Sequence, residues 1–315
     1  MATLPKVNPG DIVRIVAPAG RGNASNLIPI QQYVESIGLV PVITPDIYDP
    51  TNPFYSNSDE FRANDLISAL LDPEVAVIWC IRGGSGCIRL ISALEAALPP
   101  SEDPLPPKLF IGYSDITVLH SYFAKKYNWA TIHGPMLDAI VNGGYDPEGE
   151  SVQSLLQLMF NQISDLTLPE LVRLDSGGPI VGLISSISGG NLTVVETSIG
   201  TSWQIQSEGK LMFLEDVGEA PYRLERSLDH MKQANVFNGV DGVIFGDFTN
   251  TDAALIAFVL ERFASSVNFP VFRVQGIGHG AVNIPVPFNT RATLDVKDSE
   301  AKTYTLRVDN VPMKK

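Results

Sequence analysis

The chain is poor in cysteine, histidine and basic charge, and it has no long apolar run. Its two cysteines, Cys80 and Cys87, cannot build a disulfide framework, and their spacing fits neither a CxxC redox pattern nor a zinc pattern. Only four histidines occur, His120, His133, His230 and His279, with no HExxH and no His/Cys cluster, so metal-dependent hydrolysis is not expected. Lys and Arg number 22 against 35 Asp and Glu, and a net charge of −13 leaves no basic face for nucleic acid or an anionic membrane. No stretch approaches the roughly 18 apolar residues that a membrane span needs. The opening MATLPKVNPGD has one Lys and no apolar core, so no secretory signal is expected and a cytoplasmic location follows.

Charged residues make up 18% of the chain, below the ~25% usual for soluble proteins, while 44% are hydrophobic, enough for a large core. At about 100–200 residues per domain, 315 residues make two domains or one large one. The first half alternates β-branched runs with helical patterns. Strands are expected at Asp11–Pro18, Val40–Thr44, Glu74–Ile81 and Lys108–Gly112, and helices at Leu27–Ile37, Asp59–Leu71, Gly86–Leu98 and Ile116–Lys126. Glu74–Ile81 is almost continuously apolar, as a strand covered on both faces requires. Such alternation calls for βαβ units and a parallel sheet, with Pro99–Pro107 as a surface loop inside it.

The pattern changes near residues 140–180, where a helix at Val152–Ile163 leads into LPELVRLDSGGP. Beyond it come a β run at Ile180–Ser188, strands at Lys210–Leu214, Asp241–Phe245 and Val271–Val274, and helices at Pro221–Val236 and Asp252–Phe263. Arg291–Val296 and Thr303–Val308 read as a closing hairpin. The expected organisation is an N-terminal α/β domain over 1–145, a linker region over 146–178 and a C-terminal domain over 179–315.

Four junctions, each at the carboxyl end of an expected strand, could carry chemistry, because open α/β sheets bind ligands at that edge. Arg82-Gly83-Gly84-Ser85-Gly86 can turn N–H groups toward an anion or a carbonyl oxygen. It lacks the third glycine of a dinucleotide fingerprint and the GK[ST] of a P-loop, and a plain tight turn reads it equally well. Gly112-Tyr113-Ser114-Asp115 has the strand–turn–helix form of a nucleophile elbow, though Ile116 replaces its second glycine. The alternative is a helix N-cap, with Asp115 in the first turn. Glu215 and Asp216 end a strand, where an acid can orient a histidine or simply cap the next helix. His279 stands between glycines in GIGHG, placed to reach Ser114, whereas His120 and His230 fall within helices and His133 in HGPM could line the cleft. Together these positions give the order Ser114…Glu215…His279.

RGGSG (82–86), GYSDIT (112–117), HGPM (133–136), SGGNL (188–192), FLEDVGEAPYRLERSL (213–228) and GIGHG (276–280) resemble the signature segments of the LD-carboxypeptidase family of serine peptidases. That family includes murein tetrapeptide carboxypeptidases and microcin C self-immunity proteins, and the resemblance runs from about Pro9 to about Pro287. It implies a flavodoxin-like, parallel-sheet N-terminal domain, a smaller C-terminal swivelling-type α/β domain, and a homodimer. It also implies a triad of Ser114, Glu215 and His279, an oxyanion hole from the N–H groups of Gly84 and Asp115, and neither cofactor nor metal. Arg82, Gly83 and Ser85 are the candidates for touching the peptide or muropeptide substrate. Ser85 stands where family members commonly carry Tyr, which bears on substrate fit. The Thr201–Ser207 turn is close to the short murein-peptidase form. The expected reaction is release of a terminal D-alanine from an LD-tetrapeptide. The alternatives are hydrolysis of a peptidyl or aminoacyl adenylate analogue and a non-catalytic small-molecule binding module.

Overall fold

The β-branched runs of the first half form five parallel strands: β1 (Ile12–Val16), β2 (Val40–Ile43), β3 (Val75–Cys80), β4 (Leu109–Gly112) and β5 (Thr131–His133). The structure, a computed structural model, describes residues 1–103 and 105–310, so Pro104 of the expected Pro99–Pro107 loop lies outside the described residues. Strand order is 2-1-3-4-5, the flavodoxin-like order. Successive side chains feed two separate cores. Val13, Ile15, Val77 and Trp79 pack on one face, and Val16, Ile78, Cys80 and Phe110 on the other. Apolar cover on both faces explains the unbroken hydrophobic run of β3. The order reverses between β1 and β3, and there the Gly20 N–H donates to the Gly83 carbonyl at 2.9 Å.

A second sheet holds β6 (Asp165–Thr167), β7 (Leu171–Arg173), β8 (Leu183–Asn191), β9 (Leu211–Val217), β10 (Gly242–Thr249) and β11 (Val271–Arg273). After β12 (Val286–Phe288), the chain adds β13 (Arg291–Asp298) and β14 (Thr303–Asp309). The order is 13-8-9-10-11-7-14-6, and β13 also pairs with β14, so the sheet closes on itself like a barrel and leaves few free edges. Strands β8 to β11 are parallel. Helices Pro221–Gln233 and Ala253–Ser265 cover this parallel part and bury Leu224, Leu228, Met231, Leu260 and Phe263. Asp252 caps the second of these helices by accepting from the Ala254 and Leu255 N–H groups.

Two features depart from the sequence reading. In the stretch read as a linker, 146–178, the expected helix forms over Glu150–Met159, but two unread strands, β6 and β7, follow it and join the second sheet. Strands of three residues are too short to show an alternation, so nothing in the sequence marks them. Strand β12, absent from the sequence reading, returns to the first sheet and pairs antiparallel with β5. It is the edge strand there, the one place where proline fits a sheet.

The two sheets meet at the end of β8. Residues 189 and 190 stay in the ladder with Phe213 and Leu214 of β9. Gly190 has φ +133°, and a Cβ there would lie 2.3 Å from Thr117 Oγ1. The missing side chain lets the next N–H, that of Asn191, donate to Thr117 Oγ1 at 3.0 Å. No helix among the described residues is long and apolar enough to cross a membrane.

Gly190→Ala therefore combines a left-handed backbone strain with a collision against Thr117, and should cost about 2 kcal/mol or more. Gly200 also has positive φ but meets nothing within 4 Å, so Gly200→Ala should carry the backbone strain alone, about 1 kcal/mol. Urea denaturation of the two variants checks this; equal losses would remove Gly190 from its place at the joint.

Candidate active site

Strand β4 ends at Gly112 and delivers Tyr113 in extended conformation, φ −153°. Ser114 follows at φ +65°, and a helix leaves at Thr117–Tyr127. Most non-glycine residues in this backbone region here are asparagines, which tolerate it; a serine does so only where the surroundings enforce it. The N-cap alternative fails, since the capping position is Tyr113 and no side chain caps the turn. Ser114 is instead lifted at the sheet edge, as a nucleophile elbow requires. It packs against Gly83, where a Cβ would come within 2.7 Å of Ser114 Cβ and 2.9 Å of its Oγ. Only glycine lets the two turns approach this closely.

Asp115 joins those turns in a way the sequence does not reveal. Its buried carboxylate accepts the Cys87 N–H at 2.8 Å, and its pKa is raised by that burial. The glycine turn is thus fixed to the serine turn from behind. Among the described residues neither the Gly84 N–H nor the Asp115 N–H has an acceptor, and both belong to residues flanking the Ser114–Gly83 contact. Arg82 and Ser85 are exposed at the same turn, and Arg82 forms no ion pair among the described residues.

On the second sheet, β9 carries Glu215 and Asp216 in succession, and the structure separates their roles. Glu215 is fully buried and its Oε2 lies 2.6 Å from His279 Nδ1. Asp216 accepts from Asn191 Nδ2 and from the N–H and hydroxyl of Thr193, so it anchors the helix Leu192–Thr197. Strand alternation sends the neighbouring side chains apart. Burial raises the pKa of Glu215, whose Oε1 has no partner. The His279 pKa is raised above 6.5 even though burial opposes its charge, because the Glu215 carboxylate hydrogen-bonds and attracts the ring.

His279 lies in the segment that leaves β11 of the second sheet and enters β12 of the first. Its ring packs on Tyr113, centroid to centroid 4.8 Å, beside Ser114 in the chain. No hydrogen bond joins Ser114 Oγ to His279 here; such contacts commonly tighten only when substrate is bound. Tyr113 is itself held by a 3.1 Å hydrogen bond between its hydroxyl and that of Tyr145. Neither tyrosine's role shows in the sequence, although Tyr113 sits inside the GYSD segment.

The other histidines stay apart from this chemistry. His120 is buried between Thr131 Oγ1 and the Gly112 carbonyl, and His230 is an exposed partner of Glu196. His133 does not line the cleft. It is fully buried among Tyr113, Phe213 and Phe288 with neither ring nitrogen bonded, and burial holds its pKa well below 6.5. Among the described residues, no group of three His, Cys, Asp or Glu side chains could hold a metal ion.

Comparison with known proteins gives a consistent result. Residues 13–134 match the LD-carboxypeptidase N-terminal domain model and residues 185–294 the LD-carboxypeptidase C-terminal domain model. A Rickettsia conorii protein with a provisional carboxypeptidase name is 39% identical over 79% of this chain and 77% of its own length. The murein tetrapeptide carboxypeptidase of Pseudomonas aeruginosa is 31% identical over 77% of this chain and 80% of its own. The crystal structure of muramoyltetrapeptide carboxypeptidase from Oxalobacter formigenes shares the fold, with a TM-score of 0.78 at 24% identity over 96% of this chain and all of that one.

Since Glu215 raises the His279 pKa, protonation of His279 contributes stability that is fully present below pH 6.5 and is lost as pH rises through the higher folded value. Glu215→Gln leaves burial as the dominant influence, so the His279 midpoint should fall below 6.5. NMR titration of the His279 ring in both proteins measures this. A midpoint unmoved by the substitution would show that the carboxylate does not set the imidazole.

Proposed function

The chain belongs to the LD-carboxypeptidase family of peptidases, and from that premise we propose that it is a serine carboxypeptidase that releases the terminal D-alanine of a murein tetrapeptide. The observation carrying this reading is the left-handed Ser114 beside Gly83, with a histidine on the facing segment whose Nδ1 is fixed by a buried carboxylate. The relatives named for murein peptides support the substrate class.

With Nδ1–H donated to Glu215, the neutral ring of His279 presents Nε2 as its basic nitrogen. His279 takes the Ser114 proton as Oγ attacks the scissile carbonyl. Glu215 holds the tautomer and stabilises the imidazolium that forms. The unspent N–H groups of Gly84 and Asp115 receive the developing oxyanion, where one such donor is worth about 10²–10³ in rate. Collapse of the tetrahedral intermediate passes the proton from His279 to the leaving amine of D-alanine and leaves an acyl-Ser114 ester. Water, deprotonated by the same imidazole, cleaves the ester and returns the proton to Ser114. Arg82, Gly83 and Ser85 border the leaving-group side, with Arg82 able to take the terminal carboxylate and Ser85 leaving open the space a bulkier residue would fill.

The reading includes a cytoplasmic homodimer. Cys80 and Cys87 are free and buried, as suits a reducing compartment. Leu255 and Phe258, three residues apart on the helix Ala253–Ser265, are 52% and 59% exposed and offer apolar surface that pairing would cover.

Ser114→Ala should keep the fold and lower D-alanine release from a murein tetrapeptide by about 10⁴-fold or more. Chromatographic assay of free D-alanine with both proteins checks this. Release by the variant at the parent's rate would end the assignment of Ser114.

A further inference from the structure

Arg82 is not the only basic group at the glycine turn. Arg21 follows the Gly20 whose N–H is bonded to the Gly83 carbonyl, so the ends of β1 and β3 bring two arginines side by side at the point where strand order reverses. Their backbones and side chains are cross-linked. The Arg82 guanidinium reaches the Arg21 carbonyl at 3.5 Å, and the Arg21 guanidinium donates to the Asp49 carbonyl at 2.8 Å. Both contacts are to neutral oxygens. They orient the two cations without neutralising either.

Arg14, Arg62, Arg89 and Arg173 each hold an aspartate, whereas among the described residues Arg21 and Arg82, like Arg226, Arg273 and Arg307, form no ion pair. The Thr51 hydrogen bonds, and after them the charge of Arg21, hold the Asp49 pKa below its ordinary value. Asp49 Oδ1 accepts from the N–H and hydroxyl of Thr51, and Asp138 Oδ1 accepts from Asn26 Nδ2. The charge of Arg82 is felt at the phenols of both Tyr48 and Tyr113, which places it between the Arg21 loop and the residue preceding Ser114. Two adjacent, exposed cations without a close ion pair repel one another, and an anion bound between them reduces that cost.

We propose that Arg21 and Arg82 together form the receiving site for the free terminal carboxylate of the substrate, so that the enzyme selects peptide anions over internal peptide bonds. The assignment rests on the serine carboxypeptidase reading, because it takes Ser114 as the point of attack. In D-alanine the carboxylate carbon lies two bonds beyond the scissile nitrogen, close to the leaving-group side that Gly83 and Arg82 border. A planar guanidinium on each side fits a carboxylate with two accepting oxygens.

The test measures binding apart from turnover. Calorimetric titration of Ser114→Ala protein with a murein tetrapeptide ending in D-alanine, and with its C-terminal amide, should show the free acid bound about tenfold or more tightly. Adding Arg21→Gln should weaken the free acid by about tenfold and leave the amide unchanged, and Arg21→Lys should recover part of the loss. Raising salt should erode the preference for the acid. Equal binding of acid and amide, an Arg21→Gln protein that binds the acid as the parent does, or no binding of either peptide would overturn the proposal. A preserved acid preference together with no D-alanine release by the protein with Ser114 intact would instead overturn the serine reading alone.

Discussion

The site depends on one contact between the two sheets, the Asn191 N–H on Thr117 Oγ1, which exists because residue 190 has no side chain. Thr117 stands three residues after Ser114. Asn191 is the register partner of Glu215 across β8 and β9. A single short hydrogen bond therefore connects the element that carries the serine to the ladder that carries the acid. The connection is doubled on the far side, where the segment bearing His279 leaves β11 in the second sheet and joins β5 in the first through β12. Tyr113 packed on the imidazole, the Glu215 carboxylate at Nδ1 and the Thr117 hydroxyl at the Asn191 N–H then set serine, acid and histidine relative to one another.

The electrostatics make sense only with that arrangement in view. A fully buried carboxylate with one unpartnered oxygen is costly, and Glu215 meets the cost only through His279. His133, buried next to the same tyrosine with neither nitrogen bonded, is held neutral, so it adds no competing charge beneath the site. The exposed cations Arg21 and Arg82, beside the glycine turn, form no ion pair among the described residues. Local rules of polar satisfaction are broken around Ser114 in three places, which is where a functional site should break them.

Much of this was legible in the sequence, for identifiable reasons. The parallel sheet follows from long apolar strands alternating with amphipathic helices, because covering both faces of a sheet leaves a strong pattern. The order Ser114…Glu215…His279 could be read because the sequence pattern sets each at or just beyond the end of an expected strand. Whether Ser114 caps a helix or forms an elbow could not, since the difference is a single φ angle set by contact with Gly83. Nor could Glu215 be told from Asp216 without the strand's orientation. Strands β6, β7 and β12 escaped because three residues carry no period and Pro287 argues against a strand unless its edge position is known. The Asp115 carboxylate and Arg21 were missed for another reason: each acts through a contact with a residue 28 or more positions away.

The central claim is that the two sheets together activate Ser114. The most direct measurement is the rate and position of covalent labelling by a fluorophosphonate, followed by mass spectrometry of the digested protein. The account predicts one adduct, on Ser114, forming faster as pH rises through the His279 midpoint above 6.5 and lost when His279 is replaced by Ala. No adduct at Ser114, or one that forms equally fast without His279, would contradict it.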